Sequence, residues 1–310
     1  MPSRSIVDRL KAREVLVMDG GTGSELQRRG VNVNKGANAR IDGVWSASAN
    51  IDAPGIVRQV HEDYLKAGAE IIISNNFYTS RAMLTLIGAG EKWEEYTRRA
   101  AELAMQARKA VNPEAYVAGG IAPPSVPCDL RKEFEDQSRV LAKAGVDFML
   151  AEYMGGDSAH KGPIADCVTA VDACATAGLP VFLGVCNVKD GGTMMNGEAL
   201  SDLVAALKGH KLDGIFLMCS YPEAISASLP NLRKAYDGPI GAYGHLGYDR
   251  NPKYGTSPDE QWFTLETREY TPQRYAEFAA QWKEMGAQVI GGCCATRPEH
   301  IEAVRKVLRG

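Results

Sequence analysis

The sequence lacks the features of a membrane protein or a nucleic-acid-binding protein. No apolar run approaches the ~18–20 residues needed to span a bilayer. The N-terminus has no apolar segment followed by a small-residue cleavage site, so we expect no signal peptide. With 35 basic and 38 acidic side chains, the net charge is -3, too near neutral for the basic surface that nucleic acids or anionic membranes require. We therefore expect a cytoplasmic protein with neither kind of partner.

Several catalytic signatures are missing as well. The G-x-S-x-G nucleophile elbow of serine hydrolases is absent, and so is the phosphate-binding G-x-x-x-x-G-K-[ST]. GGTG at 20–23 begins like a dinucleotide-binding loop, but Leu26 stands where the third glycine is needed. Its backbone N–H groups could still hold a carboxylate. None of the five histidines has metal-ligand spacing to another, and we interpret His61 and His300, both in predicted helices, as structural.

Nothing in the composition calls for disulfide bonds or several domains. A chain of 310 residues, 45% of them hydrophobic, can bury a sufficient core without cross-links. Its ordinary composition argues against collagen, coiled coils and disorder. No linker or low-complexity segment interrupts it, so we expect one domain over residues 1–310.

Eight short apolar runs recur along the chain. They are VLVM at 15–18, EIIIS at 70–74, AYVAG at 115–119, DFMLAEY at 147–153, PVFLGV at 180–185, DGIFLMC at 213–219, PIGAY at 239–243 and QVIGGCC at 288–294. Near-continuous apolarity is typical of parallel strands that are buried on both faces. Segments with helical periodicity lie between them, for example Tyr96, Ala100, Leu103 and Ala107.

This alternation predicts an α/β fold, a (β/α)8 TIM barrel, with an open doubly wound sheet as the alternative. Four predicted helices end at a glycine suited to a left-handed C-cap. These glycines are Gly68, Gly145, Gly178 and Gly286. Two longer polar stretches, 31–50 and 244–268, follow the first and seventh strands. In a barrel both stretches lie at the C-terminal mouth, where active sites are found.

Seven cysteines form an odd count, and in a cytoplasmic chain they serve more often as ligands, nucleophiles or core residues than as disulfides. Cys219 ends one predicted strand, and Cys293 and Cys294 end another. Three thiolates converging from strand ends suit Zn²⁺, with the fourth tetrahedral position open to a substrate. Neighbouring residues of a strand point to opposite faces. Cys293 and Cys294 can therefore share a metal only if the strand breaks there, which the preceding glycines permit.

The other four cysteines are interpreted differently. Cys128, Cys167 and Cys174 are assigned to packing, because free cysteine is among the most buried residue types. Cys167 and Cys174 lie two turns apart on one predicted helix face. Cys186 ends a strand without a second ligand nearby, and it is left open as a residue that lines the pocket.

Taken together, these segments resemble one family over nearly the whole chain, the zinc-dependent homocysteine S-methyltransferases. The matching segments are MDGGTGSELQRRG at 18–30, VWSA at 44–47, HEDYLKAGAEIIISNNFYTS at 61–80, VAGGIAPP at 117–124, DFMLAEYM at 147–154, LMCSYPEAI at 217–225 and VIGGCCATRPEHI at 289–301. The last is the most specific, because adjacent cysteines follow paired glycines and precede a Pro-Glu-His-Ile helix start.

The resemblance implies a (β/α)8 barrel in which Cys219, Cys293 and Cys294 hold zinc. It also implies that Asp19 and Glu152 contact the ammonium group of the amino-acid substrate.

The resemblance also extends to the other substrate groups. It places the backbone of Gly20 and Gly21 near the substrate carboxylate. Trp45, Tyr78 and Tyr153 resemble the betaine-using branch of the family, in which the matching tryptophan contacts the methyl donor.

Aromatic faces attract an onium methyl group, so Tyr221 and Trp262 are further candidates for the donor pocket, with ordinary packing as the alternative. Two departures from the family pattern fall where the acceptor would bind. Met218 stands where asparagine is usual, and Ser74-Asn75-Asn76 lacks the usual threonines. The acceptor is therefore left open between homocysteine and a similar thiol.

The predicted reaction moves a methyl group from betaine, S-methylmethionine or S-adenosylmethionine to the zinc-bound thiolate of homocysteine, giving methionine. Two alternatives are a catalytic subunit that exchanges methyl groups with a separate corrinoid protein, and a non-catalytic zinc–thiolate barrel with Cys186 as fourth ligand. The sequence carries no argument for a homo-oligomer beyond the general frequency of symmetric assemblies.

Overall fold

Eight parallel strands form the central sheet of the protein. The computed structural model describes residues 2–37, 43–156, 163–186, 188–189, 191–247, 249–250, 263–264 and 269–310. The strands of the sheet are β1 (Leu16–Val17), β2 (Ile71–Ile73), β3 (Tyr116–Ile121), β4 (Phe148–Met154), β5 (Val181–Cys186), β6 (Gly214–Met218), β7 (Ile240–Gly244) and β10 (Ala287–Gly292). A separate antiparallel pair consists of β8 (Asp249–Arg250) and β9 (Phe263–Thr264).

The sheet closes on itself. Its strand order is β1-β10-β7-β6-β5-β4-β3-β2, and a parallel bridge between Met18 and Ile71 joins the two ends. The Asp19 N–H, which donates to the Ile71 carbonyl at 2.9 Å, strengthens this seam. The predicted (β/α)8 barrel is confirmed, and the open doubly wound sheet is wrong. Each of the eight apolar runs overlaps one strand of the sheet.

The longer helices surround the barrel. The α-helices are α1 (Ile6–Lys11), α2 (Thr22–Arg28), α3 (Ala49–Asp52), α4 (Pro54–Lys66), α5 (Arg81–Leu84), α6 (Trp93–Val111), α7 (Leu130–Ala144), α8 (Pro163–Ala175), α9 (Leu200–Ala206), α10 (Pro222–Ala235), α11 (Pro272–Glu284) and α12 (Pro298–Arg309), and the 3₁₀ turns are Trp45–Ser48, Thr85–Ile87 and Gly90–Lys92. The four predicted capping glycines all have positive φ, between 77° and 100°. Each ends a helix before the next strand.

Aromatic rings fill the interior of the barrel. Phe148, Phe182, Phe216 and Tyr243, from four consecutive strands, pack with centroid distances of 5.1, 5.2 and 6.4 Å. The short helix α1 packs its buried Ile6 and Leu10 against this interior cluster. This helix was not predicted from the sequence. It closes one end of the barrel, so the strand ends at the other end are left to form a site.

None of the helices within the described ranges is long and apolar enough to cross a membrane.

Candidate active site

Three cysteine thiols meet at the C-terminal end of the barrel. Cys219 follows β6, whereas Cys293 and Cys294 follow β10. The Cys219 and Cys294 sulfurs are 3.9 Å apart, and those of Cys293 and Cys294 are 4.0 Å apart. All three sulfurs lie within 4.8 Å of one another, and this is the one such group of potential metal ligands in the described part of the chain. The structure therefore brings together the three cysteines chosen from the sequence.

The spacing of these sulfurs fits a zinc ion. Tetrahedral Zn²⁺ with Zn–S bonds of ~2.3 Å holds its sulfur ligands ~3.8 Å apart. The two short sulfur–sulfur distances, 3.9 and 4.0 Å, are close to that value. Three ligands leave one tetrahedral position for an exogenous group. The donor set thus fits zinc with an open fourth position.

The backbone explains how adjacent cysteines point to one centre. β10 ends at Gly292, so Cys293 and Cys294 lie in the turn that follows it, as the sequence predicted. The left-handed residues here are Cys219 (φ 43°) and Ala295 (φ 67°), not the glycines. Gly291 and Gly292 instead permit close packing, because a Cβ on Gly292 would overlap the Thr296 side chain. Gly291 and Gly292 are therefore needed because a side chain would not fit there, and not because their backbone is left-handed.

Thr296 fixes this turn to the first strand of the barrel. Its hydroxyl donates to the Cys293 carbonyl at 2.6 Å and accepts from the Gly21 N–H at 3.0 Å. The structure shows that α12 begins at Pro298, and the Arg297 N–H donates to Nδ1 of His300 at 3.2 Å.

Hydrogen bonds among the three thiols shift their pKa values. Donation from Cys219 and then from Cys293 to the Cys294 thiolate holds the pKa of Cys294 well below its usual value. The pKa of Cys219 is raised, because its hydrogen bonds to Cys293 and Cys294 favour its protonated form. One thiolate is thus stabilised by two thiols when only protein groups are present.

The thiols line a cavity of about 330 Å³ together with aromatic side chains. The aromatic residues around this cavity are Trp45, Phe77, Tyr78, Tyr153 and Tyr243. The Phe77 ring lies 4.6 Å from that of Tyr78 and 5.4 Å from that of Tyr153, measured between centroids. Phe77 was not selected from the sequence, although it lies in the same Asn-Phe-Tyr segment as Tyr78. We call Trp45, Phe77, Tyr78 and Tyr153 the aromatic wall.

Tyr221, a further candidate for the donor pocket, does not extend the aromatic wall. Tyr221 is 51% exposed, and its ring packs on His245 with centroids 4.4 Å apart. Tyr221 is not among the described residues that line the cavity. Trp262 lies outside the described residues.

Comparison with known proteins agrees with this site. A model of the homocysteine S-methyltransferase family matches residues 16–308. Betaine–homocysteine S-methyltransferase 1 of Bos taurus is 30% identical, over 98% of this chain and 75% of that protein. The chain belongs to the homocysteine S-methyltransferase family. It is accordingly a methyltransferase, and methyl transfer to homocysteine is the activity of its relatives.

The relatives differ in the donor that their names give. The S-methylmethionine–homocysteine S-methyltransferase BHMT2 of Pongo abelii is 29% identical over 98% of this chain and 81% of that protein. The metallated form of the homocysteine methyltransferase MmuM from Escherichia coli has a TM-score of 0.74 at 23% identity, covering 96% of this chain and 98% of that one. At that identity the likeness supports the fold alone.

Two buried carboxyl groups lie beside the cavity of this methyltransferase. Glu152 lines the cavity, and burial raises its pKa to about 8, although Tyr243 donates to Glu152 Oε1 at 3.3 Å. Asp19 is fully buried and is not among the described residues that line the cavity. Asp19 Oδ2 accepts from the Ile73 N–H at 2.9 Å, whereas Oδ1 has no hydrogen-bond partner in the part of the chain that the structure describes. Burial, and then the nearby Glu152 carboxylate, raise the pKa of Asp19.

The loop at 20–23 also lines the cavity, at the start of α2. The Gly21 N–H donates to Thr296, so this donor is already engaged. The Trp45 indole packs so closely on Gly23 that a Cβ there would overlap it. The loop therefore lines the cavity with its backbone, and the missing side chain of Gly23 leaves room for the Trp45 indole.

The two departures from the family pattern both contact the cavity. The Met218 sulfur accepts from the Tyr153 N–H at 3.0 Å and from the Tyr243 hydroxyl at 3.2 Å. Asn75 lines the cavity and hydrogen-bonds with Ser46 and Asn50. Both residues therefore support groups around the cavity through hydrogen bonds.

The remaining cysteines lie apart from the thiol group. Cys186 is fully buried in the interior cluster of the barrel and is not among the described residues that line the cavity. Cys167 and Cys174 are buried on α8 within the outer core, as predicted. Cys128 is partly buried before α7, and burial raises its pKa to about 12.

Proposed function

We propose that this methyltransferase transfers a methyl group from an onium donor to the sulfur of homocysteine, giving methionine, with zinc held by Cys219, Cys293 and Cys294. One observation carries the proposal: three thiols with zinc-ligand spacing share a single cavity with the aromatic wall. The thiols suit a metal that binds sulfur, and the rings suit a methylated cation. Both reactants would thus meet in one cavity.

The cysteines tune the chemistry of the acceptor. When bound, Zn²⁺ would take the substrate sulfur as its fourth ligand and keep it deprotonated at neutral pH. Three cysteine thiolates lower the net charge of the site, so the substrate sulfur retains more electron density than it would beside three neutral histidines. The sulfur can then attack the methyl carbon, while the bond from that carbon to the donor nitrogen or sulfur breaks.

The aromatic wall binds the donor. Each ring face attracts an onium group by ~0.5–2 kcal/mol, depending on how far the group is desolvated. The positive charge disappears from the donor as the methyl group leaves, so no general acid is needed. Betaine, S-methylmethionine and S-adenosylmethionine all meet this requirement.

The carboxyl groups orient the amino-acid acceptor. A substrate ammonium next to Glu152 would favour the charged carboxylate and lower its raised pKa. Asp19 would act from behind the cavity wall, through its unpartnered Oδ1. The Gly20 and Gly21 backbone would lie near the substrate carboxylate, beside the start of α2.

Other parts of the proposal concern the whole chain. We propose that residues 1–310 act as one domain in the cytoplasm, where the three thiols stay reduced. Its partners would be a small thiol and an onium donor rather than nucleic acid or membrane. The closed zinc site gains no support, because Cys186 lies outside the thiol group. No observation in the described part of the chain favours exchange with a corrinoid protein.

The proposal is tested by turnover. Purified zinc-loaded protein with homocysteine is given betaine, S-methylmethionine or S-adenosylmethionine in turn, and methionine is measured. We expect turnover with at least one donor. Absence of methionine with all three, at one zinc per chain, would contradict it.

A matched pair of variants tests the metal ligands. We expect Cys293→Ser to lose most of its zinc, because the serine hydroxyl is a poorer zinc ligand than a thiolate. Cys128→Ser should keep the wild-type content, since Cys128 is not part of the thiol group. Zinc is measured by atomic emission on dialysed protein. An equal zinc content in the two variants would show that Cys293 is not a zinc ligand.

A further inference from the structure

Asn75 joins two segments that carry the aromatic wall. It follows β2 and is only 5% exposed. Its Oδ1 accepts from the Ser46 hydroxyl at 2.6 Å, and its Nδ2 donates to the Ser46 carbonyl and to Asn50 Oδ1, each at 3.0 Å. The Asn50 Nδ2 donates to the Asn75 carbonyl at 2.9 Å. We call these four hydrogen bonds the Asn75 clamp.

The clamp holds the residue that follows Trp45. Trp45 begins the 3₁₀ turn Trp45–Ser48 with a left-handed backbone, φ 45°. A bulky residue adopts this conformation only when its surroundings impose it. Ser46 is bound to Asn75 through both its hydroxyl and its carbonyl, so the clamp is a direct source of that constraint.

The same clamp fixes Trp45 relative to the other rings. Phe77 and Tyr78 lie two and three residues after Asn75, and both line the cavity. Trp45 comes from a distant part of the chain, with its indole against Gly23. The Asn75 clamp joins the segment of Trp45 to the segment of Phe77 and Tyr78. It therefore constrains the distance between the Trp45 ring and the other two rings.

We propose that Asn75 is a positioning residue that sets the width of the donor pocket through Trp45, and with it the size of onium group that binds. This inference rests on the proposed function, since it concerns the donor of that reaction. It assigns no contact between Asn75 and the reacting atoms.

The test compares two nearly isosteric substitutions, each of which removes hydrogen bonds to the loop after β2. Asn75→Asp replaces the Nδ2 donor by an oxygen facing the Ser46 carbonyl and Asn50 Oδ1, so two bonds are lost. Thr97→Val is the control. The buried Thr97 hydroxyl donates to the Thr79 hydroxyl at 3.0 Å, and Thr79 lies on the same loop as Asn75. Thr97 does not line the cavity.

We expect Asn75→Asp to raise the donor KM about tenfold or more, since two buried hydrogen bonds are lost. The acceptor KM and the zinc content should stay within about twofold of wild type. Thr97→Val should leave all three values unchanged. A tenfold effect on the acceptor KM instead of the donor KM would overturn the inference.

A double-mutant cycle tests whether the effect passes through Trp45. In a Trp45→Ala background, Asn75→Asp should no longer change the donor KM. If it has the same effect with and without the indole, Asn75 does not act through Trp45. Should Asn75→Asp fail to fold, Ser46→Ala removes one clamp bond and is expected to raise the donor KM about threefold. An unchanged donor KM in Ser46→Ala would then overturn the inference.

A readout without turnover separates this inference from the proposed function. The near-ultraviolet circular dichroism difference between wild type and Trp45→Phe isolates the Trp45 signal. We expect Asn75→Asp to abolish that difference while Thr97→Val keeps it. Retention of the signal in Asn75→Asp would overturn the inference, whereas lack of turnover in wild type would overturn only the proposed function.

Discussion

His61 is a buried residue whose protonation would destabilise the fold. It lies within α4 and is fully buried, and neither ring nitrogen has a hydrogen-bond partner among the described residues. Burial lowers its pKa from 6.5 to about 4. The folded protein therefore keeps His61 neutral under conditions in which the unfolded chain binds a proton.

This predicts acid sensitivity with a defined sign. Because the folded pKa is below the unfolded one, the stability is fully present above pH ~6.5 and is lost as pH falls towards 4. The difference corresponds to about 3 kcal/mol over that interval. We expect His61→Leu to reduce the loss of unfolding free energy between pH 7 and 4.5, measured by urea denaturation. Parallel pH curves for both proteins would contradict the assignment.

Gly23 and Gly55 form a matched pair of helical glycines. A Cβ at Gly23 would overlap the Trp45 indole, whereas a Cβ at Gly55 would meet nothing within 4 Å. We expect Gly55→Ala to be neutral or to stabilise by up to ~1 kcal/mol. Gly23→Ala should displace the indole and raise the donor KM several-fold. Thermal unfolding and steady-state kinetics of both variants check this, and equal kinetics would contradict it.

At the scale of elements, one helix holds two strands of the site together. The Tyr275 hydroxyl of α11 accepts from the Gly244 N–H at 3.0 Å and lies 2.7 Å from the Gly291 carbonyl, to which it donates. Gly244 ends β7, and Gly291 lies two residues before Cys293. The position of the turn that carries Cys293 and Cys294 thus depends on α11.

We expect Tyr275→Phe to lower the unfolding free energy by about 1–3 kcal/mol, because a buried backbone N–H loses its acceptor. It should also weaken zinc retention, since the turn at Cys293 is less well held. Tyr270→Phe is the control, because the Tyr270 hydroxyl bonds to Glu223, a partly exposed carboxylate. Denaturant titration and zinc competition measure both effects. Equal losses of unfolding free energy and of zinc retention in the two variants would show that the Tyr275 hydroxyl does not hold the turn at Cys293.

At the scale of the whole molecule, the thiol group links parts of the barrel that are not paired. Cys219 follows β6, and Cys293 and Cys294 follow β10, while β7 lies between these strands in the sheet. A metal bound by all three cysteines would therefore connect the ends of β6 and β10, two strands that are not neighbours in the sheet. Binding to the folded state alone raises its stability.

We expect a chelator to lower the melting temperature. Bound zinc at 1,000 times its dissociation constant contributes about 4 kcal/mol, which for a chain of 310 residues corresponds to a shift of about 6 °C. The Cys293→Ser variant should show little shift, because it holds little zinc. Differential scanning calorimetry with and without chelator measures this. A full shift in the variant would contradict the assigned site.

Several features could be predicted because their signals are local. The eight apolar runs and the four capping glycines depend on the chemistry of a few neighbouring residues, and both predictions were confirmed. The cysteines at the strand ends were found because parallel strands place their carboxyl ends at one mouth. The length of β1 was overestimated, since only two residues of the run at 15–18 form the strand.

The sequence by itself determined the barrel, the family and the three cysteines, because residue type and periodicity carry that information. Only the tertiary structure decided what lies around them. Asp19 behind the cavity wall, Cys186 in the barrel interior and the bond from Asn75 to Ser46 all depend on distances between segments far apart in the chain. Those distances arise when the sheet closes and its register is fixed, so no local pattern encodes them.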